Sequence, residues 1–414
     1  MRLLRGSYLS SSAAFCRCWS ANGPAPPRLP PRPLAWQQRQ ERGARSRRGA
    51  PLSAATDTKE AVFQTIDEGE WDEKYAGKFG TLPYGVAMKQ GPRPEMEDFT
   101  HIIPRARCGF LFAAVFDGHG GVSAGQYLCK QLYLVLSDAI DEETYGEECS
   151  LEERDVTGLC CPVELSTVLS ASFERTDKDL LLHLENGVEG EESNSGATAT
   201  VALVRRDKIV VANVGDSRAV VSRRGQAVDL STEHRVWGAG ETVDAETARV
   251  QAAGGWVADG RVCDVLAVSR AFGDREFKGA GLHRMMARGV EEQWWDQGFA
   301  DSIHFTADPV VARPDVIEAA VNEGDEFLIL ASDGLWDVMS SRDAVTYARA
   351  DFQRGCAASE VAEKLAKLAI KRHTADNVTV VVVDLGGGKD GWQAHKGKGK
   401  GGGGMSGGWN PFSN

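Results

Sequence analysis

A chain of 414 residues with 42% hydrophobic and 26% charged residues carries enough apolar material for a real core, which excludes a wholly disordered protein. Its formal net charge of −12 is uneven: residues 1–50 hold +9 and residues 386–414 hold +3, leaving −24 on residues 51–385. Such an acidic body disfavours nonspecific binding to nucleic acid or anionic membrane and suits a site that concentrates cations. No apolar run of about 18 residues marks a transmembrane helix, and the nine cysteines form no Cys-x-x-Cys pair, against a disulfide scaffold or zinc ribbon.

In chain order, the first 50 residues are rich in Arg, Ser, Ala and Pro, with Glu41 as their only acid. Acid-poor, Arg- and Ser-containing leaders are what organelle import selects, and no unbroken apolar stretch of about 7–15 residues marks a secretory signal. Residues 1–55 are therefore read as a disordered segment addressing the chain to a mitochondrion or plastid. The alternative is a plain basic tail on a protein of the cytoplasm or nucleus. Residues 56–79 read as a linker and 80–385 as one catalytic domain. Residues 386–414 are a Gly/Lys-rich flexible tail whose Gly-Lys repeats lack the Gly-Lys-Ser/Thr ending of a phosphate loop.

Within the body, residues 110–116 form an apolar run, a buried strand leading to Asp117-Gly-His-Gly. Helical spacing follows over 121–138 through Ala124, Leu128, Leu132 and Val135, and over 166–185 through Leu169, Phe173 and Leu180. β-rich runs at 198–204, 208–214 and 219–222 are separated by turn-like breaks at 205–207 and 215–217. Residues 327–331 predict a buried strand, and 359–372 an amphipathic helix with Glu360/Lys364 and Glu363/Lys367 pairs on its polar face. The run 378–383 predicts a final, central strand. Hairpin-length breaks imply largely antiparallel sheets, and the grouping of helices between groups of strands implies an α+β layered domain. Acidic stretches at 138–155 and 185–194 read as surface loops.

Four aspartates lie at the ends of these apolar runs: Asp117, Asp216, Asp333 and Asp376, with Glu97-Asp98 ahead of the first. A carboxylate at the end of a buried strand is costly to desolvate unless a cation compensates it. An Asp-Gly after a strand is ordinarily a turn, Asp216 can close a hairpin, and Asp376-Asn377 can open a strand; several such coincidences together favour a shared site. Oxygen ligands without Cys or clustered His indicate Mg²⁺ or Mn²⁺ rather than Zn²⁺. His119 beside Asp117 suits a proton donor, and Arg93 suits a phosphate dianion.

The segments Gly91-Pro-Arg-Pro-Glu-Met-Glu-Asp98, Val115-Phe-Asp-Gly-His-Gly-Gly121, Ser195-Gly-Ala-Thr-Ala199, Asn213-Val-Gly-Asp-Ser-Arg218, Leu266-Ala-Val-Ser-Arg-Ala-Phe-Gly-Asp274, Leu330-Ala-Ser-Asp-Gly-Leu-Trp-Asp337 and Asp376-Asn-Val-Thr379 resemble, in order, the signatures of the protein phosphatase 2C family of metal-dependent Ser/Thr protein phosphatases. The resemblance implies a four-layer α-β-β-α sandwich, two antiparallel sheets flanked by helices, with a dinuclear metal cleft at one end. It implies two Mg²⁺ or Mn²⁺ ions bridged by Asp117, one also held by Glu97 and the Gly118 carbonyl, the other by Asp333 and Asp376. Asp98 would hold metal-bound water, and Asp216 and Asp337 with Asp333 would form a weaker third position. The implied reaction is hydrolysis of phosphoserine or phosphothreonine by direct attack of a metal-bridging hydroxide, with Arg93 clamping the phosphate and His119 protonating the leaving alkoxide.

The implied partners are phosphoprotein substrates in signalling, met by a monomer with no nucleic acid and no membrane span. No metal-site position is replaced, which weighs against a catalytically dead scaffold; a nucleotide or sugar phosphate stays open as substrate. Two departures bear on substrate choice. Val236-Trp-Gly-Ala-Gly240 lacks the usual proline near the family's flap, and residues 279–308 are long and hold Trp294-Trp295, either core or partner patch. Asn377-Val-Thr379 fits a glycosylation sequon but opens a buried strand and is discounted.

Overall fold

A computed structural model describes residues 81–145 and 164–386. The expected targeting segment (1–55), the linker (56–79) and the tail from residue 387 lie outside the described residues.

In chain order the strands are β1 (Tyr84–Lys89), β2 (Asp98–Ile103), β3 (Leu111–His119), β4 (Gly196–Ala197), β5 (Ala199–Val204), β6 (Lys208–Val214), β7 (Arg218–Arg223) and β8 (Gln226–Asp229), then β9 (Val257–Ala258), β10 (Arg261–Val262), β11 (Phe272–Gly273), β12 (Asp315–Ala320), β13 (Asp325–Ala331) and β14 (Val378–Asp384). The helices are α1 (Ser123–Tyr145), α2 (Leu165–Gly187), α3 (Glu241–Ala252), α4 (Gly281–Glu291), α5 (Gln297–Ser302), α6 (Asp333–Trp336), α7 (Ser341–Gln353) and α8 (Ala358–Lys371). Among the described residues, 81–145, 164–285 and 304–386 fall in one compact unit and Met286–Ile303 in a second.

The larger unit is built on two antiparallel sheets. One runs β1-β14-β13-β7-β8; the other runs β11-β4-β3-β5-β6-β12, with β2 added on β3. Successive strand side chains face opposite ways, so a strand buried on both sides must be apolar throughout. In β3, Phe112, Ala114 and Phe116 pack with Leu128, Leu132, Phe173 and Leu180 of α1 and α2, while Leu111, Ala113 and Val115 meet the other sheet. In β14, Val378, Val380 and Val382 pack with Val361, Leu365 and Phe352 of the α7–α8 layer, while Val381 and Val383 face Leu328, Leu330 and Ala113 between the sheets. Three apolar layers therefore separate four layers of secondary structure, as expected.

The structure also corrects several details. The buried stripe of α1 continues through Leu136, and Val135 is only half-buried. The break at 215–217 is no hairpin: β6 and β7 belong to different sheets, so Gly215-Asp-Ser217 is a crossing between them. A break of three residues fits either connection. The 190–194 part of the second acidic stretch is a 3₁₀ turn following α2, which itself extends to Gly187. Of the two charge pairs expected on α8, Glu363–Lys367 forms at 3.1 Å. Glu360 instead accepts the Ala357 backbone N–H at 2.7 Å at the helix start, and Lys364 turns to Asp351 at 2.9 Å. An orphan N–H and a buried carboxylate both outcompete an exposed pair worth a few tenths of a kcal/mol. Among the described residues no helix is long and apolar enough to cross a membrane.

In Met286–Ile303, Trp295 is buried and donates its indole N–H to the Met286 carbonyl at 3.1 Å, edge-on to the half-buried Trp294 ring at 5.8 Å. Arg288 lies over the Trp294 ring at 5.0 Å.

Candidate metal centre

Side-chain oxygens of Asp117, Asp216 and Asp333 lie within 4.8 Å of one another. Each arrives by a different route. Asp117 stands near the end of β3, not beyond it; Asp216 lies on the β6–β7 crossing; Asp333 opens α6 directly after β13. Burial, reinforced by mutual repulsion, pushes the Asp117 and Asp333 carboxyls well above the ordinary range. Burial also raises Asp216, although Arg235 pulls the other way. Three carboxylates brought together against their own repulsion, with only oxygen donors, are the donor set of a hard divalent cation.

Asp98 and Asp117 are direct cross-strand partners on β2 and β3. Asp98 is buried, and that burial lifts its carboxyl to about 7, against the pull of the Ser332 hydroxyl, which donates to it at 2.8 Å. Ser332 also accepts the Thr379 N–H at 3.0 Å, so one hydroxyl ties the ends of β13 and β14 to Asp98. Glu97 accepts the Gly121 N–H at 2.7 Å. The Gly118 N–H donates to the Glu97 carbonyl at 3.2 Å, where a Cβ on Gly118 would meet that oxygen at 2.3 Å.

Asp376 stands outside the close triad but near enough to Asp333, Asp98 and Asp117 to raise their pKa values. Its carboxylate is paired with the Arg93 guanidinium and accepts the Asn377 N–H at 2.7 Å. Asp337 is at the end of α6, 3.6 Å from Arg235. The structure thus groups Asp216, rather than Asp376, with Asp117 and Asp333.

His119 Nε2 lies 2.8 and 2.9 Å from the two carboxylate oxygens of Asp274, a buried residue at the end of the Ser-Arg-Ala-Phe-Gly-Asp motif. Burial works against the imidazolium, but the charge and hydrogen bond of Asp274, with the charges of Asp216 and Glu97, together outweigh it and raise the His119 pKa above the ordinary histidine value. A Cβ on Gly196 would come within 2.5 Å of both groups, so the glycine makes room for the pair.

Three contributors were not assigned from sequence. Asp274 follows Phe272-Gly273, the same apolar–Gly–Asp pattern as Asp216, and that signal was available. Arg235, 11% exposed, lies 3.3 Å from Asp216 with its guanidinium 4.5 Å over the exposed Trp237 ring, so the departure at 236–240 supplies the lid on this cation. Asn377 donates to the Gln90 and Glu95 carbonyls at 2.7 and 3.0 Å and accepts the Glu97 N–H at 2.8 Å. It fastens the loop carrying Arg93, and its buried, fully used amide agrees with discounting the sequon.

The family model for protein phosphatase 2C matches residues 83–378. The chain is 39% identical over 309 residues to Protein phosphatase 2C 57 of Arabidopsis thaliana, covering 74% of this chain and 75% of the relative. It is 33% identical over 319 residues to a rice relative named Probable protein phosphatase 2C member 13, mitochondrial, covering 75% and 70%. Among solved structures, serine-threonine phosphatase 2C from Toxoplasma gondii superposes with a TM-score of 0.54 at 21% identity, covering 74% of this chain and 98% of that one, a likeness of fold. The four-layer sandwich, the acidic centre and these matches agree: this chain belongs to the protein phosphatase 2C family of metal-dependent protein serine/threonine phosphatases.

Proposed function

We propose that the chain hydrolyses phosphoserine and phosphothreonine in protein substrates at the acidic centre, by direct attack of water without a covalent phosphoenzyme. The observation that carries this reading is the convergence of Asp117, Asp216 and Asp333 within 4.8 Å. Asp117, Asp333, Glu97, Asp376 and the Gly118 carbonyl would hold two Mg²⁺ or Mn²⁺ ions, with Asp216 and Asp337 serving a third. When bound, such ions supply a water nucleophile at neutral pH and offset charge on the phosphoryl oxygens.

The remaining work falls to side chains. Arg93 is paired with Asp376; a phosphate dianion and a cation would each take one half of that pair, freeing the guanidinium fork for two phosphoryl oxygens. His119, with Nε2 held by Asp274, keeps Nδ1 to deliver a proton to the leaving seryl or threonyl oxygen. Asp98, the cross-strand partner of Asp117, would hold water bound to the ions. We further propose that the chain acts as a monomer in a mitochondrion or plastid, on the basic, acid-poor residues 1–50 and one relative named mitochondrial.

The test is phosphate release from phosphoserine and phosphothreonine peptides by the full chain across a Mg²⁺ and Mn²⁺ titration. Turnover that survives excess chelator would sink the metal-centred reading. Turnover of nucleotide or sugar phosphates without phosphopeptides would replace the substrate class.

A further inference from the structure

Away from the metal centre, the turn between α7 and α8 brings a thiol and an amine into contact. Lys364 Nζ on α8 lies 2.9 Å from Cys356 Sγ in the turn and 2.9 Å from the Asp351 carboxylate at the end of α7. Asp351 is 9% exposed, while the Lys364 side chain is 48% exposed, so solutes reach the pair from one side and the carboxylate backs it on the other. Arg354 shares Asp351 at 2.5 Å, and the Cys356 thiol lies 3.9 Å from the same oxygen. The contacts to Cys356 and Asp351 hold the Lys364 pKa above its ordinary value.

Two other described cysteines are placed differently. Cys129 and Cys263 are buried, and that burial pushes both thiols up to about 12, which keeps them protonated and poorly reactive. Cys356 is half-buried, with the Lys364 amine against its sulfur, so a small oxidant can reach the thiol while the amine lies beside it.

We propose that Cys356 and Lys364 form a reversible, oxidatively made nitrogen–oxygen–sulfur bridge. The 2.9 Å between nitrogen and sulfur is too long for a direct bond and suits one intervening oxygen atom. A first molecule of hydrogen peroxide converts the thiol to a sulfenic acid: the sulfur attacks, the O–O bond breaks, an S–O bond forms, and the departing hydroxide takes the thiol proton and leaves as water. The lysine ammonium passes its extra proton to Asp351 or solvent. A second peroxide takes two electrons as the sulfenic O–H and one amine N–H are lost and the O–N bond forms, giving two more waters. Thiol, amine and two peroxides thus become the bridge and three waters. Two dithiols return the thiol, the amine and one water. The bridge ties the turn to the second turn of α8, whose buried face packs on β14.

The experiment treats the reduced full chain with hydrogen peroxide, alkylates it, digests it with trypsin and weighs the peptides. Without the bridge, cleavage after Arg354 and Lys364 releases 355–364 with an alkylated thiol. The bridge masks Lys364, so the expected product is 355–367, unalkylated, heavier than the bare peptide by one oxygen and lighter by two hydrogens, and lost on treatment with a dithiol. Lys364→Arg keeps the charge and should abolish this product, leaving Cys356 to run to sulfinic acid. Ordinary cleavage at Lys364 with oxygens added on Cys356 overturns the proposal. So does loss of two hydrogens without oxygen, which is a direct S–N bond, or the same bridged mass in Lys364→Arg.

Discussion

Asp274 holds His119 through both carboxylate oxygens, at 2.8 and 2.9 Å, although 155 positions separate the two residues. The carboxylate fixes which ring nitrogen is occupied and favours the charged imidazole, so Asp274 acts on the reaction through His119. Asp274→Asn should lower kcat on phosphopeptides by about 10–100-fold, and His119→Ala by about 10²–10³-fold, within the range of general-acid contributions. Both losses should shrink on aryl phosphates, whose leaving groups need no proton. Equal losses on the two substrate types would remove the acid role; an Asp274→Asn effect on KM alone would remove the positioning role.

Gathering Asp117, Asp216 and Asp333 costs stability until cations arrive. For carboxyls whose pKa is raised by folding, the protonated form favours the native state, and stability is lost as pH rises through the raised pKa. The chelated protein should therefore lose thermal stability with rising pH, and Mn²⁺ at a hundred times its Kd should restore about 2.7 kcal/mol. Asp333→Asn should raise the Tm of the chelated protein while abolishing most activity and most of the metal-induced shift. A calorimetric scan in which Asp333→Asn lowers the chelated Tm would contradict this repulsion.

Asn377 spans the chain from the start of β14 to the 90–97 loop through three hydrogen bonds. Replacing it with Ala removes three part-buried hydrogen bonds, at about 0.5–1.5 kcal/mol each. Because that loop carries Arg93 and Glu97, Asn377→Ala should also raise KM for phosphopeptide and weaken metal activation. Denaturant melts and a metal titration measure the two effects separately. A stability loss with unchanged KM and metal response would confine Asn377 to a structural role.

His101, inside the α1–β3 core, is edge-on to the Phe112 ring at 5.6 Å and the Tyr133 ring at 6.3 Å, and neither of its ring nitrogens has a hydrogen-bond partner. Burial lowers its pKa to about 4. The unfolded chain takes up the proton near pH 6.5 and the native state only near 4, so the stability His101 permits is full above 6.5 and falls away towards 4. Fully expressed, the loss is about 3 kcal/mol. His101→Phe should flatten this acid limb in urea melts between pH 7 and 4; an unchanged limb would place the acid sensitivity elsewhere.

Long apolar runs were decisive in sequence because a strand between two apolar layers has no polar face to interrupt it. That is why β3, β5, β6, β13 and β14 were legible, with β6 at its observed bounds. The edge strands β1 and β12 carry half-exposed faces and left no such run. Strand-end aspartates could likewise be picked out one by one, since each breaks an apolar run with a charge.

Residue order alone established the alternation of elements, the acidic character of the body and the chemistry available to it. It could not say which acids meet. That Asp216 joins Asp117 and Asp333 follows from the 215–217 segment crossing between sheets, a connection whose three residues would equally suit a hairpin. That Asp274 meets His119, or Arg235 meets Asp216, depends on separations across the folded chain, and only packing of the two sheets fixes those distances.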